Sequence, residues 1–310
     1  MITILLAAYN GEFYLADQID SILAQTVDEW KLIIRDDGST DRTVEIAEQY
    51  ANQYPDKIFF YLCDTPSGSA QNNFFRLLSM VDTEYCMTCD QDDIWLPGKI
   101  EKTLKKMQAL EIQYGIEVPL LVHTNVKVVD AQLHQINASF IDMLNLDPSR
   151  SKINQILTQN IVTGCTLMIN RALLKKMQLQ PYPGYTLMHD WWLALIAAAF
   201  GRIGWIAEPT VLYRQHNANQ VGAKDARKFS YNWQRFCDQL ASRDILRDTY
   251  HQAACFQEIY GEQLDLSIQH MIETFSKLSS YPKIKRIYWL FRYGFWKSGI
   301  LRKLGQILFV

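Results

Sequence analysis

The chain has 310 residues, of which 48% are hydrophobic and 12% aromatic, so it can bury one large core or a core with a smaller appendage. This composition excludes a disordered chain, and the formal net charge of −2 gives no general attraction to nucleic acid. The longest apolar run, Trp191 to Phe200, is shorter than the ~20 residues that span a bilayer.

Apolar runs of strand length alternate with amphipathic stretches through the first half of the chain. The pattern predicts strands at 2–8, 30–36, 57–62, 85–89 and 119–129, and helices at 12–25, 40–53, 69–80 and 97–113. The segment at 2–8 has no positive residue before it, so it is predicted as a buried strand rather than a signal peptide. This alternation predicts an α/β fold with right-handed crossovers, a mainly parallel sheet and flanking helices.

The second half of the chain is less regular. Residues 130–160 are predicted as a polar loop with one short helix, followed by a strand at 163–170, a helix at 189–200 and a strand at 209–213. Residues 225–280 are helical by composition. The sequence therefore predicts an α/β domain at 1–222 and a C-terminal helical region at 223–310.

Two acidic clusters follow predicted strands. Asp36 and Asp37 end one strand, and Asp90, Asp92 and Asp93 follow another. Ligands of open α/β sheets bind beyond the carboxyl ends of the strands, where carboxylates repel one another unless a cation lies between them. Mg²⁺ and Mn²⁺ bind one or two carboxylates together with substrate phosphates, which indicates a diphosphate ligand. The alternative for the first cluster is an ordinary turn, since Asp, Gly and Ser are common turn residues.

Six cysteines are scattered along the chain without the spacing of a disulfide framework. Cys86 and Cys89 have metal-ligand spacing, but no second pair or nearby histidine completes a zinc site. We therefore interpret the cysteines as structural thiols, for which the reduced cytosol is the simplest compartment.

The motifs resemble a known family when they are taken in order. Ala7-Ala8-Tyr9-Asn10-Gly11, Asp36-Asp37-Gly38-Ser39-Thr40-Asp41 and Asp90-Gln91-Asp92-Asp93 resemble those of family 2 glycosyltransferases with the GT-A fold. The Asp-Gln-Asp-Asp-x-Trp form, with Tyr213-Arg214-Gln215-His216-Asn217 downstream, most resembles bacterial rhamnosyltransferases of cell-wall and O-antigen polysaccharide assembly. The resemblance covers roughly residues 1–222. It implies inverting transfer of L-rhamnose from dTDP-β-L-rhamnose to a polyprenyl-diphosphate-linked glycan.

The resemblance also implies roles for individual residues at the donor site. Ala8 and Tyr9 border the base, Asp36 or Asp37 contacts base or ribose, and Asp90 faces ribose or a metal-bound water. Asp92 would ligate Mg²⁺ or Mn²⁺ on the donor diphosphate. In the same family Arg214 would pair with phosphate oxygens, and His216 would ligate the metal or the phosphate.

The catalytic base is implied at the start of the predicted helix at 189–200. His189-Asp190 stands where the family carries a Glu-Asp pair, so His replaces Glu and Asp190 becomes the base. From the residues alone, helix capping is the favoured role of Asp190. Trp191 and Trp192 could stack on sugar or lie in the core, and we expect at least one in the core.

The last thirty residues contain seven Lys or Arg and no acid, so the preceding 280 carry a formal charge of about −9. Their apolar stripe includes Ile284, Ile287, Tyr288, Phe291 and Phe295, and such a stripe usually packs on the parent domain. Basic and aromatic residues together are also typical of a helix on anionic lipid. With the implied lipid-linked acceptor, this favours a cytoplasmic protein that is peripheral on the inner face of the cell membrane.

Alternatives to this interpretation remain open at the sequence level. The helices of 225–280 are also suited to a homodimer. Another nucleotide sugar, such as a UDP-hexose, could be the donor. A sugar-1-phosphate nucleotidyltransferase has a similar sheet, but it would carry a glycine-rich basic loop after the first strand, where this chain has Ala7-Ala8-Tyr9-Asn10-Gly11.

Overall fold

The structure is a computed structural model that describes residues 1–180, 183–216 and 239–310, apart from the side chains of 239–245 and 309. Its strands are β1 Ile2–Ala8, β2 Trp30–Asp36, β3 Ile58–Leu62, β4 Tyr85–Asp90, β5 Ile94–Trp95, β6 Leu120–Asp130, β7 Gln135–Asn137, β8 Met168–Asn170 and β9 Arg202–Gln215. Its helices are α1 Leu15–Leu23, α2 Thr43–Gln53, α3 Ala70–Ser79, α4 Lys99–Tyr114, α5 Phe140–Met143, α6 Ile153–Ile156, α7 Arg171–Gln178, α8 His189–Phe200, α9 Gln239–Tyr260, α10 Leu266–Ser276, α11 Lys283–Tyr293 and α12 Ile300–Phe309. Short 3-10 turns are omitted from this numbering.

The strands form one sheet in the order β3-β2-β1-β4-β8-β6-β9-β5, with β7 paired to β6. Strands β3, β2, β1 and β4 pair in parallel, as predicted, and the short β8 pairs antiparallel with both β4 and β6. Ala8 of β1 is in register with Asp36, and Ala7 with Asp90. Both acidic clusters therefore lie beside the carboxyl end of β1.

Helices cover both faces of the sheet, which explains why β1 is apolar along most of its length. Its even-numbered residues from Ile2 to Ala8 pack with α1, α2 and α4, whereas Leu5 belongs to a second cluster that includes α3, α7 and α8. Apolar residues of the C-terminal helices, such as Phe256, Phe275 and Leu290, continue that second cluster.

The predicted division between 222 and 223, and the predicted helical residues 225–238, lie outside the described residues. Of the helices that are described, none is both long enough and apolar enough to cross a membrane.

Two segments differ from the predicted elements. The strand predicted at 163–170 begins as a 3-10 turn, Gly164–Thr166, and only Met168–Asn170 is extended. The reason is local, because the Thr166 hydroxyl and backbone N–H both donate to the Thr163 carbonyl and replace strand pairing there. The strand predicted at 209–213 is part of the longer β9, which pairs in parallel with β6.

The cysteines agree with the structural interpretation where they are described. Cys86, Cys89 and Cys165 are buried free thiols, and burial raises the pKa of each. Cys237 lies outside the described residues.

Candidate active site

A cavity of about 750 Å³ opens beyond the carboxyl ends of β1, β2 and β4, where the sequence predicts the ligand site. Its wall includes Ala8, Asp37, Asp90 and Asp92 on the sheet side. Another part of the wall comes from Asn160, Val162, Thr163 and Gly164 and from the first turn of α8, with Asp190. The cavity therefore brings together most of the predicted site residues from four separate parts of the chain.

Asp92 lines this cavity and is paired with His216, which is not itself part of the cavity lining. His216 Nε2 lies 2.9 Å from Asp92 Oδ2, and both side chains are largely buried. Asp90 lines the cavity beside them, and burial together with the Asp92 and Asp190 carboxylates raises the pKa of Asp90 to about 7. Carboxylates concentrated in this way create a local negative potential that favours a cation.

The end of β9 is held by α1 and by the acidic turn. The Arg214 guanidinium donates to Asp17 Oδ2 at 3.0 Å and lies 4.6 Å from the Tyr14 ring centre. The Tyr14 ring also stacks on His216, and the Arg214 backbone N–H donates to Asp93 Oδ1. These contacts fix His216 beside Asp92. The Arg214 side chain is buried against α1 and is not part of the cavity lining, so its predicted phosphate contact stays a prediction.

At the predicted base-binding end of the cavity, the side-chain amide of Gln91 bonds to the backbone of Tyr9. Tyr9 N–H donates to Gln91 Oε1 at 2.8 Å, and Gln91 Nε2 donates to Tyr9 O at 2.8 Å. This two-way contact ties the turn after β1 to the acidic turn after β4. Ala8 is buried in the wall, whereas the Tyr9 side chain is exposed at the rim, where a flat base could stack.

Asp36 and Asp37 have different surroundings. Asp36 is fully buried, and its Oδ1 accepts the backbone N–H groups of Gly38 and Ser39, so it shapes the turn instead of lining the cavity. Asp37 lines the cavity and accepts hydrogen bonds from Ser67 and Arg35. Burial alone would raise the pKa of Asp37, but these Ser67 and Arg35 contacts outweigh it and lower the pKa. Of the two, Asp37 is the residue available to a nucleotide.

Asp190 lies in the first turn of α8, and its side chain is buried in the cavity wall. Burial raises the pKa of Asp190 to about 7, against hydrogen bonds from the Trp191 N–H, the Asn160 side chain and the Gly164 backbone that lower it. The residue that caps α8 is Met188, not Asp190. A carboxyl group with a pKa near neutrality, in a cavity, is suited to proton transfer.

His189 and the two tryptophans take different positions around Asp190. His189 is buried against Phe74, with ring centres 4.0 Å apart, and neither ring nitrogen has a hydrogen-bond partner within the described residues. Burial lowers the pKa of His189 to about 3, which keeps the ring neutral. Trp192 is a core residue, as expected for one of the pair, whereas Trp191 lines the cavity and donates to the Ile156 carbonyl.

The residues around Asp92 fit a hard divalent cation. Carboxylate oxygen and imidazole nitrogen are ligands of Mn²⁺, and carboxylates with diphosphate oxygens are ligands of Mg²⁺. A second grouping, Asp90, Asp93 and Cys165, has ligand atoms within 4.8 Å of one another. Asp93 and Cys165 are fully buried and do not line the cavity, so Asp90 is the member of this group that faces a ligand there. Asp92 and His216 are therefore the better pair.

An α/β sheet with helices on both faces and a cavity beyond the carboxyl ends of its strands is the architecture of the GT-A class. The chain belongs to glycosyl transferase family 2, whose profile matches residues 3–177. The chain is therefore a glycosyltransferase, as the motif order predicts.

Sequence relatives support the same assignment. The dTDP-rhamnosyl transferase RfbG of Shigella flexneri is 31% identical over 236 residues, which cover 73% of this chain and 76% of that protein. The putative teichuronic acid biosynthesis glycosyltransferase TuaG of Bacillus subtilis (strain 168) is 27% identical over 185 residues, which cover 57% of this chain and 73% of that protein.

Two solved structures share the fold. S. aureus TarS 1–349 in complex with UDP-GlcNAc has a TM-score of 0.57 at 16% identity, covering 94% of this chain and 79% of that chain. The mannosyltransferase PcManGT of Pyrobaculum calidifontis, in complex with GDP-Man and Mn²⁺, has a TM-score of 0.53 at 15% identity, covering 94% and 72%. At this identity the likeness concerns the fold alone, and it confirms the predicted GT-A class.

Sequence reasoning missed several residues that shape the site. In the sequence Gln91 stands out only as part of the acidic motif, although in the structure it bridges two loops. Tyr14 and Asp17 hold the end of β9, and Asn160 supports Asp190. The partners are 65 or more positions apart in most of these contacts, and no local pattern identifies them.

Proposed function

We propose that the protein catalyses inverting transfer of L-rhamnose from dTDP-β-L-rhamnose to a hydroxyl of a polyprenyl-diphosphate-linked glycan in bacterial cell-wall or surface polysaccharide synthesis. The product is an α-L-rhamnoside. One observation supports the proposal: a single cavity is lined both by Asp92, whose carboxylate is paired with His216, and by Asp190. The 31% identity to a protein described as a dTDP-rhamnosyl transferase supports the choice of donor.

The donor site we propose lies along β1, β2 and β4. Ala8, Tyr9 and Asp37 lie where base and ribose would bind, and Asp90 faces the ribose or a metal-bound water. Asp36 acts on the nucleotide indirectly, because it shapes the turn that carries Asp37. Arg214 acts on the diphosphate only through the position it gives to His216, unless its contact with Asp17 changes when donor binds.

Asp92 and His216 are the residues that would hold Mg²⁺ or Mn²⁺. A bound divalent ion supplies Lewis acidity that offsets negative charge on the departing nucleoside diphosphate. The ion pair between the buried Arg214 and the exposed Asp17, together with the Tyr14 ring, keeps the imidazole in place for this purpose.

Asp190 is the base in this proposal. In an inverting transfer, one carboxylate oxygen takes the proton from the acceptor hydroxyl while the hydroxyl oxygen attacks the anomeric carbon from the face opposite the diphosphate. The bond between the anomeric carbon and the nucleoside diphosphate breaks as the new glycosidic bond forms. Hydrogen bonds from Asn160 and from the Trp191 backbone fix the carboxylate. The half-buried Trp191 offers an aromatic surface for a sugar on the acceptor side.

The acceptor we propose is carried by a lipid, so the enzyme works as a peripheral protein on the cytoplasmic face of the membrane. Its C-terminal region, with seven basic residues and no acid in the last thirty, is suited to an anionic membrane surface.

A donor panel tests this proposal. The purified protein is incubated with dTDP-β-L-rhamnose, UDP-glucose, UDP-GlcNAc or GDP-mannose, with Mg²⁺, Mn²⁺ or EDTA, and both thermal shift and released nucleoside diphosphate are measured. We expect the largest shift and the fastest release with the dTDP sugar and a metal. Preference for a UDP-hexose would retain the family assignment and refute the donor, whereas formation of a nucleotide sugar from a triphosphate would indicate a nucleotidyltransferase.

A further inference from the structure

The C-terminal tail is divided between the protein core and the surface. Leu290, Phe295 and Val310 are buried in the core cluster shared with α8 and α9. Arg302 donates to the carbonyl groups of Leu144 and Asn145, so the tail is also hydrogen-bonded to the parent domain. The stripe predicted from sequence is therefore not a single free face, and Phe295 belongs to the core.

Helices α11 and α12 form a hairpin whose two ends meet. Lys283 Nζ at the start of α11 donates to the Leu308 carbonyl at the end of α12, 3.1 Å away. Gln306 closes the other side, because it accepts from the Lys297 N–H and donates to the Phe295 carbonyl. These hydrogen bonds hold α11 and α12 together, so the outward sides of the two helices belong to one hairpin.

The outward side of this hairpin has an unusual composition. Every residue between 282 and 308 that is exposed is either apolar or basic. The exposed apolar residues are Pro282, Ile284, Tyr288, Phe291, Ile300, Leu301, Leu304 and Leu308, and the exposed basic residues are Lys283, Lys285, Arg292 and Lys303. Ile284 is 85% exposed and Ile300 77%. Clustered apolar surface of this kind indicates an interaction site, whereas single exposed apolar residues are ordinary.

We propose that this surface, the exposed side of α11 and α12, inserts its apolar residues into an anionic lipid leaflet while its lysines and arginine contact the headgroups. The proposal rests on the proposed lipid-linked acceptor and identifies the residues that hold the enzyme at the membrane. Charge favours lipid over a second copy of the chain, because two such surfaces would bring basic residues against basic residues.

The hairpin is also connected to the proposed acceptor end of the cavity. Ser298, in the hairpin loop, donates from its backbone to Gln159, and the Thr158 hydroxyl donates to the Trp296 carbonyl. The next residue, Asn160, lines the cavity and hydrogen-bonds Asp190. Lipid bound at the hairpin would therefore lie on the side from which a lipid-linked acceptor reaches the base.

The test uses point variants of the full chain, since deletion of 282–310 would remove core residues. Sedimentation with phosphatidylglycerol/phosphatidylcholine vesicles is measured for wild type, for the apolar variant Ile284→Gln/Phe291→Gln/Leu304→Gln and for the basic variant Lys285→Gln/Arg292→Gln/Lys303→Gln. The matched control is Ile112→Gln/Leu179→Gln/Leu266→Gln, which changes exposed apolar residues elsewhere. Thermal unfolding, oligomeric state and nucleoside diphosphate release in solution are measured for each protein.

We expect wild type and control to bind the anionic vesicles equally. The basic variant should bind about 100-fold more weakly, since each basic residue near an anionic surface contributes about fivefold, and the apolar variant should lose at least as much. Phosphatidylcholine alone should bind weakly. Wild-type protein that does not bind anionic vesicles, or an apolar variant that binds them as tightly as wild type, would overturn the proposal. So would a wild-type dimer that the apolar variant converts to monomer without any vesicle binding. Unchanged nucleoside diphosphate release in all variants separates this result from a failure of the proposed reaction.

Discussion

Replacement of Asp190 by asparagine should make the protein more stable and much less active. The carboxyl group is buried, and burial raises its pKa from an ordinary value of 3.8 to about 7. A carboxyl group with a raised folded-state pKa stabilises the fold below pH 3.8, and this contribution is lost as the pH rises through about 7. Asparagine keeps the shape and an acceptor oxygen but never carries the charge.

The size of the stability change in Asp190→Asn follows from the pKa shift of Asp190. A difference of about three pKa units corresponds to about 4 kcal/mol of destabilisation at pH 8, when the buried carboxylate is ionised. Loss of a negative charge in the first turn of α8 costs about 0.3 to 1 kcal/mol, because that charge interacts favourably with the helix N-terminus. Asp190→Asn should therefore raise the free energy of unfolding by about 3 kcal/mol at pH 8. Near pH 5.5 the gain should shrink by about 2 kcal/mol, because the wild-type carboxyl is then protonated.

Urea unfolding in metal-free buffer at both pH values measures this difference. Asp142→Asn is the matched control, because Asp142 also lies in the first turn of a helix but is exposed, and its change should be at most about 1 kcal/mol at either pH. Turnover of Asp190→Asn should fall by about 10²- to 10⁴-fold while donor affinity stays near wild type. Wild-type turnover should rise with pH through about 7, as the base ionises.

Three outcomes would refute this reasoning. A variant that is less stable than wild type at pH 8 would show that the Asp190 carboxylate stabilises the fold. Loss of donor binding together with turnover would make it a binding residue. Undiminished turnover would mean that another group is the base.

Three further predictions concern the metal, the space beside the base and a buried histidine. Asp92→Asn should abolish transfer without lowering the unfolding temperature, and EDTA should act similarly on wild type; full turnover in chelator would remove the metal from the account. Gly164→Ala would place a methyl group 3.2 Å from His189 Nε2 and 3.5 Å from Asp190 Oδ2, so turnover should fall at least tenfold in steady-state assays. The control Gly184→Ala places a methyl group that meets nothing within 4 Å, and it should leave turnover unchanged. His123 is buried, and burial lowers its pKa to about 3, so the contribution of the neutral ring to stability falls as the pH drops below about 6.5. Between pH 7 and pH 5 the free energy of unfolding of wild type, measured in urea, should fall by about 2 kcal/mol more than that of His123→Leu. Parallel pH profiles of the two proteins would contradict this.

The sequence predicts correctly that the two acidic clusters lie together at one edge of the sheet, for a physical reason. Parallel strands bring their carboxyl ends to one edge, so Asp37 and Asp90 can be placed together from the strand pattern alone. Asp190 could be assigned only through the family resemblance, because a carboxylate at a helix start looks the same whether it caps or catalyses. The strand at 163–170 was predicted too long because threonine hydroxyl bonds to the backbone compete with strand pairing.

Contacts between distant segments could not be predicted. The Arg214 guanidinium donates to Asp17, which is 197 positions away in sequence, and no local pattern indicates this contact. The tail shows the same limit, because helical periodicity identifies apolar faces but not which of them the core covers. Phe295 was expected on the same stripe as Phe291, yet only Phe291 remains exposed.

The anomeric configuration of the product tests the central claim most directly. Purified enzyme is given dTDP-β-L-rhamnose, Mn²⁺ and a polyprenyl-diphosphate-linked glycan acceptor, and the anomeric signal of the rhamnosyl group is followed by NMR. We predict an α-L-rhamnoside that forms at the rate of dTDP release and is absent with Asp190→Asn. A β-linked product, or release of dTDP with free rhamnose alone when acceptor is in excess, would contradict an inverting transfer with Asp190 as the base.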